Sequence, residues 1–181
     1  MDAKRARFEA EVLPYFDAAY RFARWLARSP GDADDLVQEA ILRAYRGFDG
    51  LRGNDVKAWL LTIVRNCHAT AWREERRRAH VPLPEEDQAA DADVLVAPGQ
   101  DPERDSIRRD HERTLERLIA ELPAEQREVL VLREIEEMSY REIAAVAKLP
   151  IGTVMSRLAR AREALKVLWL RRIEGEPSAV R

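Results

Sequence analysis

The sequence predicts an all-α protein: two small helical domains joined by a flexible acidic linker. Three observations predict it. Alanine, leucine, arginine and glutamate dominate, while glycine is scarce, with 7 in 181 residues, which favours helix almost throughout. Apolar residues recur at helical rather than strand period. The pattern then breaks between residues 80 and 105, where prolines and acids replace the apolar stripes. The expected division is a first domain over 1–79, a linker over 80–105, a second domain over 106–174 and a frayed tail over 175–181.

The first helix is expected over 4–27. Phe8, Val12, Phe16, Ala19, Tyr20, Ala23 and Leu26 keep one stripe, and Pro14 kinks it or delays its start. Ser29-Pro30-Gly31 reads as a turn and Asp32 as the N-cap of a second helix, with acids in its first turn. Leu36, Ala40, Ile41, Ala44 and Phe48 make its buried stripe, which leaves Asp34, Asp35, Gln38, Glu39 and Arg43 on other faces. After a loop over Asp49–Asn54, a third helix runs from Asp55 to Arg78. Val56, Trp59, Leu60, Ile63, Val64, Cys67 and Ala71 face inward, and its polar positions are Lys57, Arg65, Asn66, His68, Thr70, Trp72 and Arg73, ending in Arg76-Arg77-Arg78. Cations at a helix end compensate the dipole. Three in a row after an exposed tryptophan exceed that need and suit melted nucleic acid, whose bases stack and whose phosphates need neutralising.

The linker carries Glu85, Glu86, Asp87, Asp91, Asp93, Asp101, Glu103 and Asp105. It cannot be drawn to phosphate, and its charge suits it to occupy a basic channel instead. Helices follow over Ser106–Glu121 and Ala124–Glu136, separated by Leu122-Pro123. Ser139 and Glu142 then have capping-box spacing, and Met138 and Ile143 the spacing of a hydrophobic staple, so a short helix starts at Tyr140. Leu149-Pro150 stops it, and Pro150 suits the opening of the next helix. In that helix Val154, Leu158, Ala161 and Leu165 face a core. The opposite side shows Gly152, Ser156, Ala159 and Arg160, flanked by Met155, Arg157 and Arg162. Small residues permit close approach, while serine and arginine can bond base edges in a major groove. The pair reads as a helix-turn-helix with a recognition helix.

Net charge is −2, so nucleic-acid binding is argued from the distribution of charge and not from its total. A single cysteine excludes an internal disulfide and a cysteine-based zinc cluster. No signal core or membrane-length apolar run is present, so a cytoplasmic protein without membrane insertion is expected. Cys67 and His68 point about a hundred degrees apart on a helix, and His68, His80 and His111 lack ligand spacing. Neither an enzyme nor a cofactor is expected.

Asp32-Ala-Asp-Asp-Leu-Val-Gln-Glu-Ala-Ile-Leu-Arg-Ala-Tyr-Arg-Gly-Phe48 resembles conserved region 2.2 of bacterial σ70-family factors. Lys57-Ala-Trp-Leu-Leu-Thr-Ile-Val-Arg-Asn66 with its arginine-rich end resembles regions 2.3 and 2.4, and the stretch from Leu122 through the helix-turn-helix is similar to region 4. Two domains without regions 1.1 and 3 match the extracytoplasmic-function (group 4) type. The resemblance implies a transcription initiation factor whose partners are core RNA polymerase, through its β′ coiled coil and β flap, promoter DNA and an anti-σ factor. It implies that Asp34, Asp35, Gln38, Glu39 and Arg43 bind the β′ coiled coil. It assigns −10 recognition and melting to Leu51, Arg52, Gly53, Asn54, Lys57, Arg65, Asn66, Trp72, Arg73, Arg76 and Arg77. It assigns −35 recognition to Thr153, Met155, Ser156, Arg157, Ala159, Arg160 and Arg162, with Arg157 and Arg162 holding phosphates or the domain's own core. Met155 stands where the family more often has arginine or lysine, and Lys148 where glycine is usual. The rival readings are a σ mimic that sequesters an anti-σ factor and a dimeric helix-turn-helix repressor; the latter would leave the first domain without a role.

Overall fold

In the computed structural model of the chain, residues 3–51, 53, 55–78 and 113–175 are described. All regular structure among them is helical. The first domain holds α1 (Ala3–Glu11), α2 (Phe16–Leu26), α3 (Pro30–Gly47) and α4 (Val56–Arg78). The second holds α5 (113–120), α6 (Ala124–Leu130), α7 (Tyr140–Ala147) and α8 (Ile151–Gly175). The expected linker, including its Val94-Leu95-Val96 patch, lies outside the described residues, as do Ile107, His80 and His111.

Pro14 divides the first expected helix more completely than a kink would. It sits in a 3-10 turn, Leu13–Tyr15, between α1 and α2, because its ring blocks the bond that a continuous helix needs. The break rotates the buried face. Ala18, Ala19, Phe22 and Ala23 are buried on α2, while Phe16, expected inside, is 40% exposed. Phe8 anchors α1 by edge-on contacts with Tyr45 at 5.2 Å and Phe48 at 5.4 Å. The cap of α3 is Ser29, not Asp32: its hydroxyl accepts the Asp32 amide at 3.1 Å, with Pro30 in the first turn. Helix α3 therefore begins inside the expected turn. Asp55 caps α4 by accepting the Ala58 amide at 2.9 Å. Helices α2, α3 and α4 pack mutually around Phe22, Val37, Ala40, Leu60 and Val64. Ala71, expected inward, is exposed beyond this packing.

In the second domain the expected helix over Ala124–Glu136 changes character halfway. After α6, Val131–Ile135 form a π-helical turn, in which the Glu136 amide donates to Val131 O at 3.0 Å. Glu137 then takes φ 56. The expected capping box is present on α7, with Glu142 N to Ser139 Oγ at 3.3 Å and Ser139 N to Glu142 Oε2 at 2.6 Å. Its staple residues Met138 and Ile143 are both buried. The capping bonds hold the Glu142 carboxyl below its ordinary value. At the corner Lys148 is left-handed, φ 53 and ψ 47, and the Leu149 amide donates to Ala144 O at 3.0 Å, the closing bond of a Schellman ending. Helix α8 packs on α6 and α7 through Val154, Leu158 and Ala161.

Lys148 occupies a backbone state that a side chain disfavours, offset partly by the greater unfolded-state freedom of glycine. Lys148→Gly should stabilise the protein by about 0.5–1 kcal/mol. A raised urea midpoint with unchanged slope is the expected reading.

Candidate polymerase and nucleic-acid interfaces

Three surfaces carry the residues singled out by the sequence. The first lies on α2 and α3. Asp34, Asp35 and Gln38 are exposed, and Glu39 accepts an Arg43 N–H at 2.5 Å one turn on. Such a pair on a helix surface stabilises weakly. Asp34 and Gln38 share a groove of about 360 Å³ with Phe16, Tyr20, Ile41 and Leu42. Phe16 and Leu42, 40% and 46% exposed, are apolar members of this surface that sequence reading missed. Leu42 lies outside the buried stripe of α3, and that departure was the available signal.

The second surface is the solvent face of α8. Met155, Ser156, Ala159, Arg160 and Arg162 are exposed, Thr153 and Arg157 half-buried. Ser156 donates its hydroxyl to Thr153 O at 3.0 Å, as serines in helices do. Arg157 pairs with Glu125 at 2.5 Å and Arg162 with Glu134 at 2.6 Å, so both tie α8 to the α6 segment and the π-turn. Among the described residues no ion pair engages Arg160, which leaves its fork presented outward.

The third surface is α4. At its C-terminal end Trp72 and Arg73 are exposed, and the Arg76 guanidinium lies over the Trp72 ring at 4.5 Å. Arg73 donates to Ala69 O and Arg77 to Arg73 O. Leu51 is half-buried and Gly53 exposed with φ 99, a conformation suited to glycine. Arg52, Asn54 and the Arg78 side chain lie outside the described residues. Asn66 is half-buried.

The N-terminal half of α4 is covered by the second domain. Lys57 Nζ lies 3.0 Å from Glu136 Oε2 and donates to Glu136 O at 2.7 Å. Arg21 on α2 completes the grip, donating from Nε and Nη2 to the two Glu136 carboxylate oxygens at 3.0 and 3.2 Å. Arg65, a turn or two along α4, donates to Glu128 Oε1. Burial pushes the Glu128 carboxyl above its ordinary value, with Arg65 pulling the other way. One feature of the sequence points to this burial. Val129-Leu130-Val131-Leu132 is apolar around the whole helix circumference, which leaves that segment no solvent face. Arg21, Glu128 and Glu136 were nonetheless missed, because isolated charges on helices usually face water.

His68 lies in the same region, on α4. Burial first, and then the nearby positive charge of Arg127, lower its pKa from the ordinary 6.5, against a hydrogen bond to the Leu26 backbone that raises it. Cys67 is buried and free, and burial raises its thiol pKa.

Two family models match the chain: Sigma-70 region 2 over residues 12–78 and Sigma-70, region 4 over residues 112–165. The RNA polymerase sigma-H factor of Pseudomonas aeruginosa is 36% identical over 168 residues, 90% of this chain and 85% of that protein. The ECF RNA polymerase sigma-E factor of Escherichia coli K12 is 36% identical over 141 residues, 75% of this chain and 72% of that one. Among solved structures, the sigma factor RpoE in complex with the anti-sigma factor NepR from Bartonella quintana aligns with TM-score 0.71 and 30% identity over 90% of this chain and 96% of that chain. CnrH in complex with the cytosolic domain of CnrY aligns with TM-score 0.60 and 26% identity over 91% and 88%.

A histidine whose folded pKa is lowered binds fewer protons folded than unfolded as the pH falls below 6.5. It therefore subtracts stability on acidification. Glu128, raised, has the opposite sign in the window above its ordinary 4.5. The difference between wild type and His68→Gln isolates the first effect: the wild type should lose more stability than the variant between pH 7 and pH 5 in urea titrations.

Proposed function

Because the chain belongs to the extracytoplasmic-function σ factors of the σ70 family, we propose that it binds core RNA polymerase and directs promoter-specific initiation by dividing the work among the three surfaces described. The observation that carries this reading is that matches to both promoter-reading regions, 2 and 4, fall in order on one chain. A dimeric repressor would leave α1–α4 without a role.

In this reading the groove of α2 and α3 receives the β′ coiled coil. Its apolar floor of Phe16, Ile41 and Leu42 supplies burial, and Asp34, Asp35, Gln38, Glu39 and Arg43 supply orientation. The α8 face reads the −35 element. Gly152, Ser156 and Ala159 bring the helix backbone close to the groove floor, and Arg160 offers the bidentate fork that fits guanine O6 and N7. Arg157 and Arg162, held by Glu125 and Glu134, brace the helix and stand near the phosphates. Helix α4 and the loop before it take the −10 element. Leu51, Arg52, Gly53 and Asn54 border the extruded base, Lys57, Arg65 and Asn66 hold the non-template strand, and Trp72, Arg73, Arg76 and Arg77 neutralise the upstream backbone. Each module binds weakly by itself, and a shared chain raises the effective concentration of the second. Bond-making chemistry belongs to the polymerase. The sigma factor RpoE of Bartonella quintana is held by the anti-sigma factor NepR, and the same kind of partner is read for this chain.

Transcription of fragmented genomic DNA by core polymerase, with and without this protein, tests the whole reading. New 5′ ends sharing a two-part upstream motif are expected. On such a promoter Arg160→Ala should cost about 1–3 kcal/mol of binding and relax preference at one base of the −35 motif; unchanged affinity and preference would remove Arg160 from the readout. Asp35→Ala with Gln38→Ala should weaken competition for core polymerase without lowering the melting temperature. Full competition by that double variant would exclude this surface.

A further inference from the structure

We propose that α8 reads thymine by its methyl group: Ile151 and Met155 form an apolar ridge at the leading end of the helix, and this ridge packs on thymine C5-methyl groups in the −35 major groove. The proposal deepens the assignment of α8 to the −35 element made above and rests on it.

Helical spacing lays out the ridge. Ile151, Met155 and Ala159 follow one another at four-residue intervals, so they are neighbours along one row of α8. Ile151 is 43% exposed and Met155 53%, and neither joins the core that Val154, Leu158 and Ala161 build. Single apolar residues on a surface are ordinary. These two stand one turn apart, and their row runs directly beside a second row of Gly152, Ser156 and Arg160, so the ridge is continuous with the face assigned to base reading. A Cβ at Gly152 would meet no packed neighbour within 4 Å. The fold does not call for glycine at that position, and its smallness leaves room for an incoming surface. Glu163, the next member of the apolar row, is exposed and acidic. It repels phosphate, so the ridge meets DNA by its N-terminal end.

The chemistry of that end selects the base. A recognition helix presents its N-terminal residues to base edges, and from Ile151 to Ser156 no residue carries a charge. The Ser156 hydroxyl already donates to Thr153 O. The Arg157 side chain is 20% exposed and is held by Glu125, and Arg160 lies roughly two and a half turns beyond Ile151. A guanine beneath Met155 would lose the water on O6 and N7 with no side-chain donor in its place, which costs affinity. Thymine offers at the same edge a methyl group, the apolar feature of the major groove. Burying one such group is worth about fourfold in affinity. The unbranched thioether of Met155 can follow small differences in the position of that methyl.

The test uses holoenzyme, assembled from core polymerase and the full chain, on a promoter recovered by the transcription mapping described above. Its −35 segment is randomised and duplexes are selected for binding. Each thymine of the enriched motif is then replaced singly by deoxyuridine, which removes only the C5-methyl. Binding by the wild type should fall about fourfold at one or two of these positions. Met155→Ala should bind thymine and uracil duplexes equally there, while Met155→Leu, which keeps an apolar side chain, should retain the difference. Met155→Arg should move the preferred base at that position to guanine. Ile151 and Met155 are exposed, and circular dichroism melts check that each variant is folded. Equal binding of thymine and uracil duplexes by the wild type at every position would overturn the methyl readout and leave α8 on the −35 element. So would an enriched motif with no thymine on either strand, or a methyl effect that persists in both Met155→Ala and Ile151→Ala. A selection that enriches no −35 motif would instead overturn the assignment of α8 itself.

Discussion

A carboxylate with no solvent exposure is tolerated only where cations replace its lost water, and Glu136 meets that condition by drawing on two helices of the other domain. Neither domain can satisfy it alone. Within the second domain, Glu136 sits at the end of a π-turn whose bonding is displaced by one residue from α-helical register. Within the first, Arg21 and Lys57 stand on α2 and α4, and among the described residues neither forms an ion pair with an acid of its own domain. The relative placement of the domains follows from joining these two incomplete sites. The apolar cluster that runs continuously through both domains fills in around that registry.

The consequence for the three surfaces is uneven. The face of α8 stays open, with Met155 53% exposed and Arg160 unengaged by an ion pair among the described residues. The groove of α2 and α3 is open as well. Only the N-terminal half of α4 is closed, the part assigned to the separated strand. Its C-terminal end, with Arg76 over Trp72, remains exposed. The covered half contributes the cations Lys57 and Arg65, while the stacking residue Trp72 stays 42% exposed.

Local chemistry was legible in the sequence wherever a feature was settled within one or two turns. The capping box of Ser139 and Glu142, the start at Tyr140 and the inward set Val154, Leu158 and Ala161 all follow from neighbours along the chain. Where two local signals compete, the stronger decides: Asp32 fits a cap, but Ser29 accepts the Asp32 amide one turn earlier, and Pro30 adds its pre-set φ to that start. Phe16 was placed inside because one stripe was carried through Pro14, when the break restarts the helical phase. The contacts of Arg21, Lys57 and Arg65 were not legible, since their partners lie 115, 79 and 63 residues away. No periodicity encodes which charge meets which across a domain boundary.

Which surface a partner can reach follows from what the contact between the domains leaves accessible. The α2 and α3 groove needs no opening to be reached, because Phe16, Leu42, Asp34 and Gln38 already line it from outside. In the proposed reading polymerase can therefore reach this groove while Glu136 holds Arg21 and Lys57. Arg21 lies on α2, the helix that also contributes Phe16 and Tyr20 to the groove, so a partner seated there sits on the same helix as one of the cations that hold Glu136.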